Sequence, residues 1–172
     1  MRVEERLILG CARREPVGEW ARGGPDWGRV LRLAAAHGLS ALVYVQLKGV
    51  EGVPEAVLAE LRRQAGASAM QGLKLRAELI RVMDAFRASG IEALPFKGPV
   101  LAARLYGEAA LREFSDLDVL VRKHDVEKAM AALGKVGYRS PQARNGAWRF
   151  EMGNHTRFMV NEQSGVVMDL HW

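Results

Sequence analysis

LPFKGPVLAARLYGEAALREFSDLDVLV, residues 94–121, is the stretch whose reading decides the fold. An apolar run over 91–96 stops at Lys97-Gly98, and Pro99 opens a segment in which Val100, Leu101 and Leu105 have helical spacing. The pattern predicts a strand, a tight turn and a helix. Proline suits a first helical position because its missing N–H would be unpaired there, and glycine lets the backbone approach a ligand closely. The unpaired N–H groups of such a helix start, with Lys97 beside them, make a site for an anion. Further on, Ser115-Asp116-Leu117-Asp118 runs directly into Val119-Leu120-Val121. Alternation along a strand places both carboxylates on one face, about 6.5 Å apart, with Leu117 and Val119 packed on the other. Two acids so placed on a rigid strand suit a divalent cation that holds phosphates.

Outward from this stretch the pattern differs on the two sides. Towards the amino terminus, residues 1–90 read as helix throughout. Leu7, Ile8 and Cys11 mark a short first helix that ends at Arg14-Glu15-Pro16. Asp26 is the expected N-cap of a helix over 27–37, closed by Gly38, with His37 near its C-terminal dipole. Ser40 is expected to cap 41–48. A long pattern from Pro54 to Gly90 carries Val57, Leu58, Leu61, Leu73, Ile80, Met83 and Phe86, with Gly66 and Gly72 as places to kink or split. Arg62, Arg63, Arg76 and Arg81 read as a solvated helix face.

Towards the carboxyl terminus strand and helix alternate, which implies a sheet covered by helices. Residues 125–136 form a helix with Val126, Ala129, Met130 and Leu133 inward and Gly137 as its stop. Three strand-like runs follow at 147–152, 155–160 and 166–171, the first two joined at Gly153-Asn154. In the last run Val167, Asp169 and His171 share a face, and Asp169 stands as a lone acid in an apolar strand. The expected class is α+β: a mixed-sheet core with flanking helices over 91–172, preceded by a helical subdomain over 1–90.

Composition excludes several classes. At 49% hydrophobic and 26% charged residues, the 172-residue chain reads as a soluble globular protein, with no apolar run long enough to span a bilayer and no signal peptide. A single cysteine, Cys11, rules out an intrachain disulfide and fits a reducing cytoplasm. The formal charge of +5 is compatible with an anionic partner. No G-x-x-x-x-G-K-[ST] occurs, which argues against a P-loop ATPase. His155 and His171 lack the spacing of zinc ligands and read as structural or surface residues. Tyr106, Trp148 and Trp172 read as packing or edge aromatics.

KG at 97–98, LY at 105–106, R-x-x-S-D-L-D-V-L-V from Arg112 and D-L-H-W from Asp169 carry a resemblance. Over residues 91–172 the chain resembles the bacterial uncharacterised nucleotidyltransferase family, a branch of the polymerase-beta-like nucleotidyltransferase superfamily. The resemblance implies that a glycine turn holds the triphosphate, here Lys97-Gly98 with Arg112 and Ser115 nearby. It implies that Asp116 and Asp118 bind two Mg²⁺ or Mn²⁺ ions and that Asp169 completes the metal site as a third carboxylate, placed to take the acceptor's proton. The implied reaction moves a nucleoside monophosphate from an NTP to a hydroxyl acceptor, which is a small molecule, a protein or RNA. Two other readings stay open: an inactive nucleotide-binding or regulatory module, and a toxin-like nucleotidyltransferase acting on RNA. Lys97 and Arg112 are each read either as a phosphate contact or as an ion-pair partner of one of the acids, and Ser115 either as a phosphate contact or as the cap of the turn into the strand. The superfamily's usual Gly-Ser turn is Lys97-Gly98-Pro99 here, and the chain stops three residues after Asp169, which fits a fragment lacking its acceptor-binding part.

Overall fold

The computed structural model describes residues 1–98, 101, 113–140 and 155–172. Arg112, Tyr106, Trp148, the strand expected over 147–152 and most of the helix expected from Pro99 lie outside the described residues. The chain divides into two compact units, Met1–Gly72 with Tyr106–Phe114, and Leu73–Leu105 with Ser115–Trp172.

The first unit is helical. It holds α1 (Val3–Arg13), α2 (Gly18–Arg22), α3 (Trp27–Ala36), α4 (Ser40–Leu47) and the first part of α5 (Glu55–Ala88). Its core gathers Leu7, Ile8, Cys11, Val30, Ala34, Val43, Leu47 and Leu61, and each fully buried leucine or valine contributes about 1.5–3 kcal/mol. Burial pushes the Cys11 thiol up to about 12, so it behaves as a core residue and not as a nucleophile. Gly10 admits the Trp20 ring: a Cβ there would stand 2.4 Å from it.

Asp26 caps α3 as expected, its Oδ1 accepting from Arg29 N at 2.9 Å. Ser40 does not cap α4. It is the first residue of that helix, and its hydroxyl donates to Gln64 Oε1 at 2.7 Å. α5 runs unbroken for 34 residues through Gly66 and Gly72. Each glycine costs about 1 kcal/mol relative to alanine, which is small against the apolar surface the helix buries. Arg63 and Arg81 pair with Glu60 and Glu78 one turn earlier, at 2.6 and 2.7 Å, so both are engaged on their own helix.

The second unit carries the sheet. β1 (Ala93–Pro95), β2 (Asp116–Val121), β3 (Tyr138–Arg139), β4 (Thr156–Asn161) and β5 (Val167–His171) lie in the order β1-β2-β5-β4-β3. β2 and β5 are parallel, and every other pairing is antiparallel. α6 (Val126–Lys135) follows β2 after a 3-10 turn and stops at Gly137, whose φ is +89°. The expected α+β architecture with a mixed sheet is therefore borne out.

Within this unit α5 buries Leu75, Leu79, Val82 and Phe86, a stripe at helical period. Leu73 and Ile80, expected in the core, are exposed at 60% and 63%. Apolar residues surround the helix on more than one stripe, and only one can face a core. One face of the sheet is buried through Leu117, Val119, Val121, Met168 and Leu170. Asn161, fully buried, closes the turn between β4 and β5. It accepts from the backbone N–H of Gln163 and Ser164 at 3.0 and 2.9 Å and donates to Glu78 Oε1 and the Val136 carbonyl.

Candidate metal centre

The opposite face of the sheet carries the acids. Period two along β2 puts Asp116, Asp118 and Leu120 on it, and period two along β5 puts Val167, Asp169 and His171 there. The parallel register sets Asp118 directly against Asp169. Asp118 is only 6% exposed, Asp169 and His171 are half-buried, and their ligand atoms all lie within 4.8 Å of one another. Among the described residues this is the group that could hold a metal ion. Asp116 is outside that group, one step along the same face, and still acts on its charges.

A buried carboxylate needs compensation. The Asp118 Oδ1 atom accepts from the Lys97 ammonium at 2.9 Å and stands 3.0 Å from His171 Nε2. Lys97 reaches Asp118 because β1 pairs with β2 up to Pro95↔Val119 and Phe96 N then donates to the Asp118 carbonyl at 3.3 Å. The chain turns away after Lys97 at Gly98, which takes φ +53°, a conformation that glycine adopts without strain. The bond to Asp118 raises the Lys97 pKa above its usual value, so the ammonium stays charged. Burial, followed by the Asp118 charge, raises the Asp169 carboxyl above the ordinary carboxylate range.

Of the residues singled out from the sequence, Lys97, Asp118 and Asp169 come together, Asp116 is adjacent, and Ser115 is exposed just before β2. Lys97 makes the ion pair with an acid. His155 is exposed, as read. His171, expected to be structural or surface, turns its ring towards Asp118. Its Nδ1 lies 3.0 Å from Thr156 Oγ1, and Phe96 packs edge-on against the ring at 5.1 Å and 74°. The signal that could have found it is its position two residues after Asp169, which puts both side chains on one face. The donor set, two carboxylates and an imidazole beside a lysine, is chemically suited to a divalent cation.

No helix among the described residues is long and apolar enough to cross a membrane. No curated protein and no solved structure matches the chain. The family model described as uncharacterised nucleotidyltransferase matches residues 23–172, so the chain belongs to that nucleotidyltransferase family.

Proposed function

We propose that this chain transfers a nucleoside monophosphate from an NTP to a hydroxyl acceptor, with Asp118 and Asp169 holding a divalent ion and Asp116 placed to help hold a second. The observation that supports this most is the register that opposes Asp118 to Asp169 across β2 and β5, on the face away from the core. When bound, Mg²⁺ or Mn²⁺ supplies charge neutralisation for the triphosphate and acidifies the attacking hydroxyl.

The chain's own residues do the rest. Lys97 neutralises Asp118 until a cation takes that role, and its half-exposed ammonium is then free to contact the phosphates. Gly98, Ser115 and Arg112 belong to the phosphate side in this reading. Asp169, opposite Asp118 in the register, is placed beside the reacting hydroxyl to accept the acceptor's proton. The acceptor oxygen bonds to the α-phosphorus, the bond from that phosphorus to the bridging oxygen breaks, and pyrophosphate leaves. In this reading residues 91–172 form the catalytic core and residues 1–90 a helical subdomain.

The test is a screen of α-labelled NTPs with Mg²⁺ or Mn²⁺ against cell extract, run beside Asp118→Asn. A labelled product and released pyrophosphate are expected for the parent and absent for the variant. Parent protein that binds no NTP with either ion would sink the reading. Binding by Asp118→Asn equal to the parent's would reduce the D-x-D to a structural feature.

A further inference from the structure

The metal centre contains a nitrogen donor that the carboxylate motif does not include. We propose that His171 is a direct ligand of the ion held by Asp118 and Asp169, and that the Thr156 hydroxyl holds the ring in its ligating form. This rests on the cation site proposed above and adds to it the identity of a ligand and the class of ion.

Distance supports it first. Donor atoms around one ion at about 2.1 Å stand roughly 3–4 Å apart; His171 Nε2 is 3.0 Å from Asp118 Oδ1, and one ligand atom each of His171, Asp118 and Asp169 lie within 4.8 Å of one another. The ring is also held on three sides. Thr156 is the β4 partner of His171, its Oγ1 meets Nδ1 at 3.0 Å, Phe96 packs against the ring, and Nε2 is left facing Asp118. Ligating histidines ordinarily have their second nitrogen fixed by such a partner, and losing it weakens metal affinity about 10–100-fold.

The choice of a hydroxyl has a chemical consequence. The geometry allows one arrangement in which Nε2–H donates to Asp118 while Nδ1 accepts from the Thr156 O–H. With an ion bound, Nε2 presents its lone pair and Nδ1–H donates to Thr156 Oγ1. A hydroxyl is both donor and acceptor and supports either form, whereas a carboxylate would accept only and fix one of them. Two oxygens and one nitrogen then favour first-row transition ions such as Mn²⁺, Co²⁺ or Zn²⁺ over Mg²⁺, which prefers oxygen ligands.

The experiment uses the full chain with metal alone and no nucleotide. Calorimetric titration should show Co²⁺ binding that falls about 10–100-fold in His171→Gln, while Mg²⁺ binding changes little. Thr156→Val should lose Co²⁺ affinity in the same direction, and Thr156→Ser should restore it. A readout on the parent itself avoids any folding failure of the variants. Nitrogen NMR of the ring should report the Nε2–H form in the metal-free protein and the Nδ1–H form with diamagnetic Zn²⁺. An Nε2–H form that persists with Zn²⁺ bound, or Co²⁺ affinity in His171→Gln equal to the parent's, overturns the proposal. If Asp118→Asn abolishes ion binding while His171→Gln does not, the nucleotidyl-transfer reading stands and this one falls.

Discussion

Lys97→Met separates the two roles open to that side chain, because it keeps most of the stem and removes the charge. In the structure the ammonium donates to Asp118 at 2.9 Å and lies near two further acids, all of which favour its charged form. A hydrogen bond between charged groups contributes about 1.5–3 kcal/mol in a dry setting. Here the Lys97 side chain is 52% exposed and Asp118 only 5%, so solvent screening brings the expected loss to about 1 kcal/mol. At this chain length that lowers Tm by roughly 2–4 °C in EDTA. On the proposed reading ion and ammonium compete for the same Asp118 oxygen, so the loss reappears as a gain elsewhere. Ion binding to Lys97→Met should tighten about fivefold, the factor that ~1 kcal/mol represents. Binding of the metal–NTP complex should weaken, because the released ammonium no longer meets a phosphate. Thermal melts in EDTA and titrations with Mn²⁺ alone and with Mn²⁺–NTP read all three. An unchanged Tm with unchanged Mn²⁺ affinity would refute the competition, and weaker Mn²⁺ binding would show that Lys97 supports the ion instead of standing in for it.

The remaining expectations concern the strand ends. The raised Asp169 pKa means that the folded protein holds that proton more tightly than the unfolded chain. The associated stability is complete below the ordinary carboxylate pKa of about 3.9 and is lost as pH rises through the folded value. Asp169→Asn should therefore raise the metal-free Tm at pH 7 and leave it unchanged below about pH 3.5, and a pH-independent difference in melting curves would contradict this. The same variant should retain most NTP affinity and lose transfer about 100-fold or more, measured in single-turnover assays with labelled NTP. Asn161→Ala removes four hydrogen bonds at a fully buried position and leaves Glu78 and the Val136 carbonyl without that partner. It should destabilise by about 2–4 kcal/mol in urea melts, and a loss under about 1 kcal/mol would show that the turn relaxes around it.

Local chemistry was legible in the sequence, as was the meeting of Asp169 with Asp118, whereas most other long-range contacts were not. Alternation marked β2 and β5, Asp26 announced its cap, and Gly137 its stop. Ser40 looked like a cap because serine often is one, yet its hydroxyl found Gln64 on another helix, a partner that no local rule can name. Leu73 and Ile80 matched a helical period as well as the truly buried residues do, and only the packing of α5 chose between the stripes. A two-residue strand such as β3 has too few residues to show any period. The surroundings of His171 show in no single segment, because its partners Asp118 and Thr156 come from two other strands.

The way these acids meet also explains why one apolar pattern can specify both the core and the site. β2 and β5 are parallel neighbours, which requires a long crossover, so the two carboxylates must come from distant stretches and be brought together by register. A slip of one residue would turn Asp169 and His171 towards the core and put Met168 and Leu170, both fully buried now, on the solvent face. Burying an uncompensated carboxylate is far more costly than most single packing defects, so the slipped pairing is strongly disfavoured. Each inward apolar residue of β5 thus fixes the position of the polar one beside it. Substitutions that merely change core volume, such as Met168→Leu, should leave the metal centre in place, whereas insertion of one residue between Val167 and Asp169 should abolish ion binding even if the chain still folds.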